Sequence, residues 1–396
     1  MMDGARRCQF QLLFEAFLAP NRVLIYCRGL TLGMTAGTIR KRATPRTERK
    51  PKHRKQGAPT IADVAAYAGF APMTVSRVIN GEDNVRKETR EAVQAAIAKL
   101  KYSPNLAART LAGAEQVRIG MLYSNPSATY LSEFLVGSLE QARISHVQLV
   151  VEKCDADQHE DEVVRELLAT GVDGIILPPP LCDSKRIHAV LSEKGALAVA
   201  VASASPRAGY LAVRIDDHAA AVAMTRHILS LGHTRIGFII GNPDQTASAQ
   251  RLAGYKAALA EVDIPVDATL IRQGLFTYRS GLKAAEQLLS LAKPPTAIFA
   301  SNDDMGAATI AIAHRHHLDV PKGLTVCGFD DTEFSRSIWP ELTTIRQPIA
   351  EMSKAAMLLL LKKIKARREG RDEGCKHALL DFTLVRRDSD GPPPGR

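Results

Sequence analysis

The chain has 396 residues, 45% of them hydrophobic and 24% charged, which is ordinary globular usage and enough for more than one core. Its net charge of +10 invites a nucleic-acid partner, and no stretch approaches the roughly 18 uncharged apolar residues of a membrane helix. Arg6 and Arg7 precede an apolar run as in a signal peptide, but Glu15 interrupts it and no small-residue cleavage pattern follows, so a cytoplasmic protein with no membrane partner is expected.

The charge is local. Between residues 39 and 55 stand nine Lys and Arg against Glu48, whereas residues 56–396 are close to neutral. The run RKRATPRTERKPKHRK is broken by Pro45 and Pro51 and is expected to be disordered, adding at most a general attraction for phosphates. A plain solvated extension explains it equally well. Met34 is a candidate start, and residues 1–33 carry no interpretable pattern. The six cysteines (Cys8, Cys27, Cys154, Cys182, Cys327, Cys375) lie far apart without CxxC spacing, which reads as reduced thiols and not as a zinc site.

From Thr60 the texture changes. TIADVAAYAG sets Ile61, Val64, Ala65 and Ala68 at helical spacing behind Thr60 as N-cap, with Asp63 in capping-box position. Gly69 supplies a tight turn. PMTVSRVIN then predicts a second short helix with Pro72 in its first turn, Val75, Val78 and Ile79 inward, and Ser76 and Arg77 outward. A third helix follows at about 87–100 on Val93, Ala96, Ile97 and Leu100. Helix, glycine turn, helix is the pattern of a DNA-reading helix-turn-helix, although any three-helix bundle can share the spacing.

Over TIADVAAYAGFAPMTVSRVING and VRKETREAVQAAIAKLKYSPNLAARTLAG the chain closely resembles the LacI/GalR family of bacterial transcription regulators. Two positions depart from the common pattern: Ala71 and Arg86 stand where a Ser often caps a helix, each at a cost of up to about 1–2 kcal/mol. The resemblance implies that Pro72 and Met73 meet operator bases through apolar contact, and that Thr74, Ser76 and Arg77 touch phosphates or bases, with Arg77 suited to a guanine edge. Thr60, Asn80 and Asn105 are counted with these DNA-binding residues. In SPNLAARTLAG it implies a hinge helix that orders only when paired with its dimer mate. Leu111 would wedge into the minor groove there, and Ala108 would permit close approach. Tyr102 reads as packing.

Beyond Val117, short apolar runs (RIGMLY, VQLVVEK, VDGIILPPP, LAVAVAS, LAVRID, RIGFIIG, TAIFASND, LTVCGF) alternate with amphipathic stretches at 158–170, 219–231, 248–262, 280–291 and 305–317. This predicts parallel sheets covered by helices, with ligands at the carboxyl ends of the strands. The resemblance continues to about Arg387 and implies an α/β two-lobed fold like that of periplasmic binding proteins. The expected division is a basic extension at 1–58, a small all-α helix-turn-helix head at 59–103, a hinge at 104–116, a ligand-binding domain at 117–390 and a tail at 391–396. Lobe one would take 117–215 and 346–375, and lobe two 216–345 and 376–390, with crossovers near Asp216 and Ile345.

No GxGxxG opening a helix, phosphate loop, HExxH or GxSxG is present, so neither an enzyme nor a cofactor is expected. His314, Arg315, His316 and His317 read as a solvated helix end against the negative dipole, not as a metal set. LGH at 231–233 reads as helix termination. Several polar residues fall at strand ends, where each could merely cap a helix: Arg251, Asn302, Asp330 and Gln347, with the aromatic Phe276 on a loop. As a set they suit a polyol, whose hydroxyls take directed hydrogen bonds while its C–H face stacks on a ring. The resemblance places these five at effector contacts and adds Tyr123, Asn125 and Tyr130 from the first lobe. It further implies a homodimer on a palindromic double-stranded operator, released or engaged by a small molecule such as a sugar. The rival reading is a solute-binding or enzymatic α/β protein with an accidental helical head; it would need a cleavable leader or a convergent acid, base or nucleophile.

Overall fold

The computed structural model describes residues 22–23, 59–79, 85–102, 116–155, 159–207, 209–372 and 374–395. The chain divides into two compact units at the junction of Gln116 and Val117.

The head consists of α1 (Ile61–Ala68), α2 (Pro72–Ile79) and α3 (Lys87–Leu100). Thr60 and Asp63 form the reciprocal capping box that starts α1, and Gly69 ends it in the left-handed region at φ 73°. Val64, Ala65, Val75, Val78, Val93 and Ala96 make a single small core, with Ile97, Leu100 and Tyr102 packed against it. Arg86 gives α3 no side-chain cap, as its side chain lacks the short acceptor that Ser would supply.

The second unit opens with β1 (Arg118–Tyr123), α4 (Ala128–Ile144), β2 (Gln148–Lys153), α5 (Glu160–Ala169), β3 (Gly174–Leu177), α6 (Lys185–Lys194), β4 (Ala198–Val201) and β5 (Leu211–Arg214). It continues through α7 (Asp217–Ser230), β6 (Ile236–Ile240), α8 (Thr246–Ala260), β7 (Ile271–Gln273), α9 (Tyr278–Leu289), β8 (Ala297–Ala300), α10 (Asp303–Arg315), β9 (Thr325–Cys327) and α11 (Glu333–Arg336). The last elements are β10 (Thr344–Arg346), α12 (Ile349–Arg368), β11 (His377–Leu379) and β12 (Thr383–Val385).

These elements build two lobes. The first-lobe sheet runs β2-β1-β3-β4-β5-β11, all parallel, with Arg22–Val23 antiparallel on its β2 edge. The second-lobe sheet runs β9-β8-β6-β7, also parallel. Strands β3, β4 and β8 are buried at every position, as strands covered on both faces must be, and their sequences are correspondingly apolar throughout. Helix α12 returns to the first lobe and packs on α4 so closely that a Cβ at Gly137 would lie 2.4 Å from the Ala350 carbonyl oxygen.

The division between lobes differs from expectation at the C-terminus. Residues 376–390 are expected in lobe two, but β11 pairs with β5 in the first-lobe sheet, and the chain joins the second lobe from β12 onward, β12 lying antiparallel to β10. A three-residue strand exposed on two positions carries too little apolar pattern to reveal its sheet. The chain therefore crosses between lobes a third time, between Leu379 and Thr383. The expected tail at 391 also begins late. Gly391 is buried, its carbonyl accepting from Thr325 and hydrogen-bonded to His233 Nε2 at 2.8 Å. His233 is thus a strut to the C-terminal segment and not merely a helix stop. Among the described residues no helix is long and apolar enough to cross a membrane.

Candidate functional site

A cleft opens between the two lobes of the second unit, where strand carboxyl ends and helix amino ends meet. Seven of the eight expected effector residues line it: Asn125, Tyr130, Arg251, Phe276, Asn302, Asp330 and Gln347. Tyr123 does not. It ends β1 with its carbonyl bonded to Cys154, and the loop that follows, not the strand end, turns to the cleft. Pro126, Ser127, Pro179, Ala202, Gln245 and Ala247 complete the wall.

Arg251, on the first turns of α8, is 4% exposed. Its Nε donates to Asp217 at 2.9 Å and its Nη1 to the Ser301 carbonyl at 2.6 Å, while Asp330 lies 3.8 Å away. The guanidinium stacks 3.6 Å from the Phe329 ring centroid, which fixes its plane. Asp217, the buried anion that holds this arginine, was not singled out from the sequence. Its only signal was a second Asp beside Asp216, whose side chain caps α7 by accepting from Ala219 N.

Asp330 follows β9 on a loop at φ 116°, a backbone conformation that L side chains rarely adopt. Gln347 Nε2 donates to it at 2.6 Å. Burial, helped by the Asp304 and Asp217 carboxylates and opposed by Arg251 and Gln347, pushes its carboxyl up to about 7. Asp303, wholly buried, is held well above its ordinary range by burial first and by Asp330 next, although Thr332 and Thr344 donate to it. Ala202 and Phe276 also stand at positive φ, 59° and 58°. Three strained non-glycine residues lining one cleft, Ala202 from the first lobe and Phe276 and Asp330 from the second, mean that the surrounding structure over-determines this backbone, as functional sites commonly do. Gly241 makes room for the aromatic: a Cβ there would fall 1.9 Å from the Phe276 ring.

Asn302 performs the capping role, accepting from Met305 N at 3.0 Å, and also donates to the Phe276 carbonyl at 3.1 Å. Asn125 forms a turn with Ser127 N and donates to the Pro179 carbonyl. Two buried side-chain atoms in the wall, Tyr130 Oη and Gln347 Oε1, have no hydrogen-bond partner. Orphaned buried polar atoms are costly, and here both belong to a cavity where a polar ligand can satisfy them.

In the head, α2 turns Pro72, Met73 (66% exposed) and Arg77 outward, with Thr74 and Ser76 half-buried beside them. Thr60 is occupied by its capping box. Asn80, Asn105, Ala108 and Leu111 lie outside the described residues. The histidines at 314–317 form no metal cluster among the described residues; His316 and Arg315 bond Glu286 instead.

The family described as bacterial regulatory proteins, lacI family, matches residues 60–105, and a periplasmic binding protein-like domain matches residues 225–389. Catabolite control protein A of Priestia megaterium is 33% identical over 76% of this chain and 92% of its own length. Among solved structures, a complex of the transcriptional regulator CelR with cellobiose superposes with a TM-score of 0.64 at 30% identity, covering 84% of this chain and 99% of the other. A lac repressor dimer bound to operator and the anti-inducer ONPF gives 0.63 at 29% identity, covering 84% and 99%.

Proposed function

Because the chain belongs to the LacI family of bacterial regulatory proteins, we propose that it is a homodimeric, sequence-specific repressor whose hold on a palindromic operator is set by a sugar in the inter-lobe cleft. The observation that carries the effector half is the cleft wall itself. Arg251, Asp330, Asn302 and Gln347 offer directed donors and acceptors, Phe276 offers a ring, and Tyr130 Oη and Gln347 Oε1 are buried and unpaired. Relatives solved in complex with cellobiose and with ONPF support a small-molecule ligand of this kind.

In this reading Pro72, Met73, Thr74, Ser76 and Arg77 meet the operator, and paired hinge segments around Ala108 and Leu111 order against the minor groove only in the bound dimer. Ligand in the cleft alters how the first lobes pair, and so whether the hinges can order. The division into basic extension, head, hinge and two-lobed domain follows the same reading. So does a role without catalysis and without a cofactor, exercised in the cytoplasm where the DNA is.

The experiment combines thermal-shift screening of sugars with gel shift on the DNA flanking the protein's own gene. A bound sugar at about 100 times its dissociation constant adds roughly 2.7 kcal/mol of stability. Specific retardation of that DNA, relieved by the stabilising sugar, is the expected result. Retardation that no stabilising ligand alters would contradict it.

A further inference from the structure

Resting on the sugar-binding reading, we infer that the cleft selects an uncharged sugar and excludes its phosphorylated form, because its one arginine stands among carboxylates and the helix amino termini that reach it are already capped by the protein's own side chains.

A phosphate monoester carries about −1.5 to −2 charges near neutral pH. Proteins hold such groups with free arginine forks, lysines or helix amino termini. Arg251 is the one cation lining this cleft among the described residues. It is committed to Asp217 at 2.9 Å and to the Ser301 carbonyl, with Asp330 3.8 Å away.

Three helix amino termini also reach the cleft, and each is filled from within. At α4, Ser127 caps Tyr130 N and donates its hydroxyl to Asp304 at 2.7 Å. At α8, the Thr246 amide is taken by the carboxylate of Asp183 at 2.8 Å. At α10, Asn302 caps Met305 N, and Asp303 and Asp304 stand in the first turn.

Arg251 thus faces two carboxylates, Asp217 and Asp330, and Asp330 in turn feels those of Asp303 and Asp304. Burial, the first cause for each, raises all four above the ordinary carboxyl range. A dianion placed here meets several carboxylates with a single cation to answer them. A neutral sugar meets acceptors for its hydroxyl protons and the two unpaired polar atoms of Tyr130 and Gln347.

The test is calorimetric titration of the full chain with matched pairs: glucose and glucose 6-phosphate, fructose with its 1- and 6-phosphates, and ribose and ribose 5-phosphate. Like-charge juxtaposition predicts that a neutral sugar binds while its phosphate ester is weaker by at least about a hundredfold. Asp304→Asn and Asp183→Asn keep an acceptor at Ser127 and Thr246 while removing a charge. Each should narrow that ratio roughly tenfold, the phosphate ester being compared with the parent sugar on the same variant. A phosphate ester that binds as tightly as its parent sugar overturns the inference and leaves the sugar reading standing. A ratio identical in wild type and both variants also overturns it, since size and not charge would then do the excluding. If no sugar of either kind binds, the underlying reading falls and the inference with it.

Discussion

Ser127 of the first lobe donates its hydroxyl to the carboxylate of Asp304 in the second lobe at 2.7 Å, joining the first turns of α4 and α10 across the cleft. A second tie runs from Asp183, which follows β3, to the amide and hydroxyl of Thr246 on α8. The same residues that close the cleft also neutralise its helix termini, so closure and ligand selection share one set of side chains.

Removing a tie should therefore act on ligand residence. Asp183→Ala loses charge-assisted bonds worth about 1.5–3 kcal/mol each, although it is not expected to touch the sugar. Stopped-flow measurement should show the dissociation rate of the bound sugar rising by roughly tenfold or more. An unchanged rate would mean that the lobes are held closed by other contacts.

Tyr130 makes a prediction of opposite sign for folding and for binding. Its hydroxyl is buried without a partner, so the unliganded domain bears the desolvation cost of about 1–3 kcal/mol. Tyr130→Phe should melt at or above the wild-type temperature while binding the sugar about tenfold more weakly. A variant that melts lower and binds normally would show that the hydroxyl is structural.

Asp330 makes the second unit sensitive to pH. Its carboxyl, about 3.8 in an unstructured chain, is pushed up to about 7 by burial, so the folded state holds the proton more tightly. The stability this contributes is complete below pH of about 4 and is lost as pH rises through about 7. Asp303, Asp217 and Asp304 are shifted in the same direction and add to the slope. Asp330→Asn cannot ionise and still accepts from Gln347. It should gain on wild type between pH 5 and 8, by about 2–4 °C for each kcal/mol. Parallel melting curves across that range would refute the assignment.

In the head, Gly69 sits at φ 73° with nothing within 4 Å of where a Cβ would be. The cost of Gly69→Ala is therefore purely conformational, about 1–2 kcal/mol. For a unit of this size that lowers the melting temperature by about 4–8 °C per kcal/mol, and Asn, which tolerates the left-handed region, should lose less. Calorimetry on the three proteins checks the order Gly, Asn, Ala.

Legibility in the sequence followed periodicity. The three head helices, with the Thr60 cap and Gly69 turn, stand within a residue or two of their expected bounds because pattern and cap agree there. The same holds for β8 and α10, where TAIFAS ends on the Asn302 cap. Helix α12 was not singled out: its run AAMLLLLKK is apolar nearly all round, and such a run has no face to read. The commitment of Arg251 to Asp217 joins residues 34 apart in sequence, and the Ser127–Asp304 tie joins residues 177 apart. Neither spacing leaves a local trace: the first contact appears only once α7 packs on α8, and the second only once the two lobes face each other. The positive φ of Phe276 and Asp330 was equally hidden, since neither residue type announces it.

The most direct test of the link between cleft and operator is the affinity of the protein for an operator duplex with and without the sugar. It should be measured by fluorescence anisotropy for wild type and for Arg251→Lys. The lysine keeps a charge beside Asp217 but loses the planar fork. Wild type should release the duplex at least about tenfold more readily at saturating sugar, and Arg251→Lys should bind the duplex like the unliganded wild type. The variant should respond only at sugar concentrations higher by about tenfold to a hundredfold, the loss of one to two charge-assisted bonds. An Arg251→Lys protein that responds to the same sugar concentrations as wild type would contradict the account, because the ligand would then be acting from somewhere other than this cleft.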